Sequence, residues 1–310
     1  MTAAPDGLRT VGEALGDRAR WDAPFGARST YRVGGSAALS VAVGDESGLL
    51  EVARALAGRS VAVVVLGRGS NLLVADRGFD GLVVSLEGGF DDVVIDGPEV
   101  TAGASVSLPV LARRTAAAGL HGLEWAVGVP GSVGGAVRMN AGGHGSDTAA
   151  TLVGARVVDL LAATVADVPA ADLAPAYRRT SLRPTDVVVA ATHRLVPGDP
   201  EAGARTIAEI VRWRREHQPG GSNAGSVFAN PPGDSAGRLI EAAGLKGLRI
   251  GSAEVSTKHA NFIQADEGGS ADDVAAVIAA VRDAVRDATG VELRTEVRLI
   301  GFDGPVGGGR

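Results

Sequence analysis

The apolar positions of this chain fall into short blocks separated by glycine-rich polar loops, and the period inside each block predicts its element. Residues 39–43 read as a short strand. Residues 45–56 read as a helix, with Asp45 near its cap and Leu49, Leu50, Val52, Ala53 and Leu56 along one side. A continuous apolar run at 61–66 has the pattern of a buried strand. Shorter strands are expected at 82–86, 92–96 and 99–103, then a helix over 107–118 with Ser107 as cap and Gly119 as stop. Strands at 152–159 and 186–195 flank a polar stretch around Tyr177-Arg178-Arg179. Helices follow over 201–216 and 234–243, and a long amphipathic one over 270–289 carries Val274, Val277, Ile278, Val281 and Val285 at helical spacing. Alternation at 291–300 predicts a closing strand. Residues 1–26 are expected as a ragged lead-in and 304–310 as a flexible tail. The order of elements is that of an α/β or α+β fold, with a boundary at the linker Val196-Pro197-Gly198-Asp199-Pro200.

Composition sharpens this picture. Of 310 residues, 45 are glycine, yet 45% are hydrophobic, which excludes a disordered chain; the lack of a G-X-Y period excludes collagen. The formal charge of −6 argues against a general grip on nucleic acid. Lysine occurs only at 246 and 258, so nearly all the basic residues are arginine. Cysteine is absent, which excludes disulfides, thiolate metal sites and a cysteinyl cofactor link. No two of the five histidines have the i, i+4 spacing of a helical zinc site, so no metal is expected. The first residues lack the pattern of a signal peptide, and no charge-poor apolar run reaches membrane length. The expectation is a soluble, cytoplasmic protein with no membrane span.

Candidate chemistry concentrates in two glycine loops, Gly67-Arg68-Gly69-Ser70-Asn71 and Gly128-Val129-Pro130-Gly131-Ser132-Val133-Gly134-Gly135. Glycine lets backbone N–H groups converge on an anion, and a helix opening near Gly134 adds its dipole. Neither loop is a Walker A or dinucleotide fingerprint. Each alone reads as an ordinary tight turn; the pair points to a phosphate-bearing ligand. Three polar positions have both a bland and a chemical reading. Ser226 is a turn serine or a proton donor. Glu296 lies on a solvated strand face with Arg294 and Arg298, or acts on substrate. Arg178 is a surface arginine or a fork for a carboxylate or phosphate.

Together these segments resemble the UDP-N-acetylenolpyruvoylglucosamine reductases. The resemblance is carried by Thr30-Tyr31-Arg32-Val33-Gly34-Gly35, Leu66-Gly67-Arg68-Gly69-Ser70-Asn71-Leu72-Leu73, the loop at 128–136 and Met139-Asn140-Ala141-Gly142. It continues through Tyr177-Arg178, Asn223-Ala224-Gly225-Ser226-Val227-Phe228, Asn230-Pro231, Ala236-Gly237-Arg238, Lys258-His259-Ala260-Asn261-Phe262 and Glu296-Val297-Arg298, in the family's order. It implies an α+β fold: an FAD-binding domain of the vanillyl-alcohol-oxidase/p-cresol-methylhydroxylase type at 27–198, in two subdomains (27–90 and 91–198), and a smaller substrate-binding domain at 199–303. The chain looks like the shorter type of the family, without an extra loop insertion.

The resemblance further implies non-covalent FAD reduced by NADPH, and reduction of the enolpyruvyl ether of UDP-N-acetylglucosamine for peptidoglycan synthesis. Hydride reaches C3 of the ether. Ser226 matches the proton donor to C2, and Arg178 and Glu296 match the groups that stabilise the enolate, the glutamate in protonated form. Expected cofactor contacts are Tyr31, Val33, Gly34, Gly67, Gly69, Ser70, Asn71, Leu72, Gly128, Pro130, Gly131, Ser132, Gly134, Gly135, Asn140 and Ala141. Expected substrate contacts are Tyr177, His217, Asn230, Arg238, His259 and Asn261. Three positions depart from the family pattern: His217 stands for a common lysine, Ala229 for another, and His144 for a common tyrosine. The alternatives are a flavin oxidase of the same superfamily, or a non-catalytic nucleotide-binding module.

Overall fold

The computed structural model describes residues 6–303; the expected tail at 304–310 lies outside them. Contact density divides the chain into two compact units. One comprises Met1–Trp21, Leu39–Arg68 and Gly81–Arg214, the other Asp22–Ala38, Gly69–Asp80 and Arg215–Arg310. A boundary at 198/199 was the sequence expectation; the division into units instead interleaves three segments of each.

The first unit opens with α1 (Asp6–Leu15), where the sequence analysis expects a ragged lead-in. Leu8, Val11 and Leu15 are spaced i, i+3, i+7 and are buried, so the segment gains a packed face against α2 (Glu46–Leu56). The Asp45 carboxylate caps α2 by accepting from Gly48 N–H at 2.8 Å. A four-stranded sheet runs in the order Arg20–Pro24, Ser36–Val43, Phe79–Leu86, Val63–Leu66, and its last two strands are parallel. A five-stranded antiparallel sheet runs Thr164–Pro169, Leu152–Asp159, Asp186–Arg194, Glu99–Gly103, Val93–Asp96. Against it pack α3 (Leu108–Ala117) and α4 (Val133–Met139), around a core that includes Leu111, Leu123, Trp125, Val137 and Val188. Ser107 holds the cap position of α3 but makes no side-chain cap bond. α5 (Pro200–His217) buries Ile207 and Ile210.

The second unit is built on α6 (Ala236–Ala242) and α7 (Ala271–Thr289). The expected stripe of α7, from Val274 to Val285, is wholly buried, and each such side chain contributes about 2 kcal/mol. A small antiparallel sheet of Arg249–Ile250, Ala253–Val255 and Ile263–Ala265 packs on α7. Tyr31, Val33 and Leu73 complete this core with Phe228, Leu239 and Ile240. The expected strand at 291–300 forms only over Arg298–Ile300, in parallel with Leu72–Val74. Leu293, Thr295 and Val297 do alternate inward, but their backbone partners change along the segment, so no continuous ladder forms. No helix among the described residues is long and apolar enough to cross a membrane.

Candidate active site

In the first unit the two glycine loops meet. Strand Val63–Leu66 ends at Gly67, and the start of α4 brings Ser132 across from it. A Cβ on Gly67 would stand 2.6 Å from Ser132 Oγ, so glycine leaves the room that this hydroxyl occupies. The cavity beside them is lined by Val65, Leu66, Arg68, Ser105, Gly135 and Val188, among others. Apolar walls, hydroxyls and exposed backbone suit a flat aromatic ring system carrying a diphosphate, which is the chemistry of FAD. Gly134 also lines the cavity, but its N–H donates to the Ala104 carbonyl at 3.0 Å, and Val133 N–H donates to Val106 at 3.0 Å. These two amides are therefore committed to the fold. Gly134 serves close packing instead: a Cβ there would stand 2.9 Å from that of Ala104. At Gly128 a Cβ would meet the Arg214 side chain at 3.2 Å. Gly131 accepts from Leu108 N–H, and Pro130 is exposed.

Arg178 also lies in the first unit. It sits at the third position of a tight turn closed by two backbone bonds, Arg179 N–H to the Ala176 carbonyl at 3.1 Å and Ala176 N–H to that of Arg179 at 2.9 Å. Its φ is +59°, a conformation uncommon outside glycine. Its guanidinium donates to the Gly142 carbonyl at 2.9 Å and lies 5.1 Å from the Tyr177 ring centroid. Tyr177 is half exposed beside it.

Ser226 and Glu296 lie in the second unit, on neighbouring segments. Glu296 N–H donates to the Val227 carbonyl at 2.7 Å, and Ala229 N–H donates to that of Arg294 at 2.9 Å. Asn261 fixes the serine segment from the other side. Its side chain accepts from Phe228 N–H at 2.9 Å and donates to the Phe228 carbonyl at 2.8 Å, as a strand neighbour would. Ser226 follows Gly225, whose φ of +75° and N–H bond to Asn223 Oδ1 make the local bend.

Ser226 lines a cleft of about 390 Å³ together with Asn230, Arg238, Glu241, Lys246, Lys258, His259 and Asn261. Both lysines of the chain are there, and three cations face one carboxylate. Lys246 pairs with Glu241 at 2.6 Å, and Lys258 donates to the Arg215 carbonyl in the last turn of α5 at 2.6 Å. Arg238 pairs with Asp234, which holds that carboxyl down to about 2. Burial lowers the pKa of His259, and its Nδ1 accepts from Asn261 N–H at 3.3 Å. Its ring is therefore neutral, with the proton on Nε2. His217 is exposed and is not among the cleft residues. Neither lysine was among the expected substrate contacts, although their rarity, at 246 and 258 only, was visible in the sequence.

Several expected cofactor contacts have interior side chains or bonds within the protein. Tyr31, Val33 and Leu72 are 0%, 4% and 9% exposed, so their side chains belong to the interior. Burial raises the Tyr31 phenol pKa well above its ordinary range. The space beside Gly34 holds the Val74 carbonyl, 2.0 Å from where a Cβ would stand, and that beside Gly69 holds the Arg28 carbonyl at 2.4 Å. These glycines let chain segments touch. Asn71 donates to the Glu296 carbonyl at 3.1 Å and accepts, through its own carbonyl, from Arg298 N–H at 3.0 Å. Ser70 is half-buried, and Ala141 accepts from Thr148 through N–H and hydroxyl. Asn140 is 4% exposed, with its amide engaged inside the protein.

Comparison with known proteins bears on both units. Residues 37–166 match the family described as FAD binding domain, and residues 217–300 match UDP-N-acetylenolpyruvoylglucosamine reductase, C-terminal domain. The chain is 42% identical over 285 residues to the UDP-N-acetylenolpyruvoylglucosamine reductase of Rubrobacter xylanophilus, covering 91% of this chain and 95% of that protein. It is 43% identical over 292 residues to that of Heliobacterium modesticaldum, covering 93% of each. The crystal structure of UDP-N-acetylenolpyruvylglucosamine reductase from Thermus caldophilus superposes with a TM-score of 0.79 at 35% identity, over 89% of this chain and 97% of that one.

Proposed function

Because the chain belongs to the UDP-N-acetylenolpyruvoylglucosamine reductase family, we propose that it reduces the enolpyruvyl ether of UDP-N-acetylglucosamine to UDP-N-acetylmuramate, with NADPH as hydride source and non-covalent FAD as carrier. The residues suited to hold FAD are Gly67, Arg68, Ser132 and Gly135 around the first unit's cavity. Bound FAD supplies the hydride that adds to C3 of the enolpyruvyl group.

The residues of the chain do the remaining work. Ser226 delivers a proton to C2, so hydride and proton together saturate the double bond. Before that proton arrives, negative charge builds on C2 and its carboxylate. Arg178 and the Glu296 carboxyl stabilise this charge, an effect worth most where donors are fixed in advance. Lys246, Lys258 and Arg238 suit the diphosphate of the nucleotide, with Asn230 and the neutral His259 as polar partners.

The observation that carries this reading is the position of Ser226 in a cleft whose cations include both lysines of the chain. The test is anaerobic. The FAD-loaded protein is bleached with NADPH and then given the enolpyruvyl substrate. Return of the flavin colour, with a product heavier by two hydrogens, is expected. Ser226→Ala should still be bleached by NADPH but recover colour roughly 10²–10⁴-fold more slowly. Recovery only on admitting oxygen would indicate the oxidase, and a protein that takes up no flavin would indicate a non-catalytic module.

A further inference from the structure

Arg178 occupies a left-handed position, and such a turn relaxes unless its surroundings hold it. The carbonyl that closes the turn, that of Ala176, accepts from Arg179 N–H and also from Asn140 Nδ2 at 3.2 Å. The other hydrogen of the same amide goes to Asp147 Oδ2 at 3.0 Å, and Asn140 Oδ1 accepts from Ala149 N–H at 2.9 Å. Both donors are therefore used on protein groups. Asp147 ends a short hairpin in which it pairs with Gly142, the residue whose carbonyl takes the Arg178 guanidinium. Its second oxygen accepts from Ala150 N–H at 3.2 Å.

We infer that Asn140 and Asp147 are positioning residues for Arg178 rather than part of the cofactor surface. A carboxylate only accepts, so Asp147 dictates which end of the Asn140 amide carries hydrogens and aims the second one at Ala176. Asn140 itself ends α4 with φ +39°, where glycine would serve the backbone as well. The side chain is there for what it links: the end of α4, the hairpin and the arginine turn. Asp147 thereby fixes Arg178 twice, at its backbone through Asn140 and at its guanidinium through the hairpin partner Gly142.

This inference rests on the role of Arg178 proposed above, and the test separates the two. Asn140→Gly keeps the backbone conformation and deletes the amide; Asp147→Ala is a second variant that leaves Asn140 in place. In the FAD-loaded enzyme, bleaching by NADPH should stay within about twofold of wild type, while recovery with the enolpyruvyl substrate should slow on the order of 10- to 100-fold. Adding Asn140→Gly to Arg178→Ala should slow recovery little further, because the arginine it positions is gone. Amide hydrogen exchange at 177–180 should accelerate in Asn140→Gly and Asp147→Ala but not in Arg178→Ala. The inference is overturned if the losses multiply in the double variant, if Asn140→Gly recovers at the wild-type rate, or if it releases FAD with the turn's exchange unchanged. If Arg178→Ala itself recovers normally, the proposed role of Arg178 fails instead.

Discussion

At the two lysine positions of the cleft, an ammonium differs from a guanidinium in what it leaves available. Lys258 reaches a helix-end carbonyl and Lys246 a glutamate, each with one compact ammonium at 2.6 Å that retains further hydrogens for a ligand. Replacing Lys246 by Met should raise the KM for the nucleotide substrate roughly 10-fold, the scale of one charge-assisted hydrogen bond, with less effect on kcat. Steady-state kinetics at low and high salt checks this, since the difference from wild type should shrink as salt screens the cleft. Lysine scarcity made these residues visible in the sequence. The amides of Asn140 and Asn261 were not visible in that way. Sequence spacing brings them near the loops they serve, but only coordinates show that Asn140 is bonded to Ala176, Asp147 and Ala149, and Asn261 to Phe228. The Tyr31 side chain, polar at its tip, is fully buried, which its position in a polar motif did not disclose.

At the scale of single elements, α7 shows how local and long-range signals combine. Its apolar stripe and its span were legible because they depend on residues within a few positions of one another. What the sequence hides is a distant cap. The Asp76 carboxylate accepts from Ser270 Oγ at 2.5 Å, Ala271 N–H at 3.0 Å and Asp272 N–H at 3.2 Å, across nearly two hundred residues. Asp76→Ala should lower stability by about 1–2 kcal/mol, read as a shift of the urea midpoint without a change in slope. Asp76→Asn should recover part of the loss, since one amide oxygen can still accept. The same distinction sorts the misread elements. α1 carries a valid helical period and an acidic residue, Asp6, in its first turn, so its helical identity was present in the local sequence. Alternation at 291–300 was real as a burial pattern, whereas strand identity required partners at 72–74.

For the whole molecule, interleaving decides what can fold alone. The second unit's core takes Tyr31, Val33 and Leu73 from segments far upstream of α6, and its last strand pairs with Leu72–Val74. A fragment of residues 199–310 should therefore lack a cooperative unfolding transition in circular dichroism, and a sharp transition would count against this account. Stability should also depend on pH through a group outside the site. His193 is 3% exposed on strand Asp186–Arg194, with Nδ1 bonded to Thr151 Oγ1 at 2.9 Å, and burial pushes its pKa down to about 4. In the unfolded chain it titrates near its ordinary value of about 6.5. Above that pH neither state holds the proton and the neutral ring's packing is fully effective. Between about 6.5 and 4 the unfolded chain binds a proton that the folded one refuses, so stability falls as pH falls. The loss should be about 2 kcal/mol by pH 5 and level off below pH 4 near 3 kcal/mol. Comparing wild type with His193→Gln isolates this contribution from the carboxylates that titrate in the same range. The gap between their urea-unfolding free energies should narrow by about that amount from pH 7.5 to pH 5, and a pH-independent gap would mean that His193 is accessible to protons in the folded state.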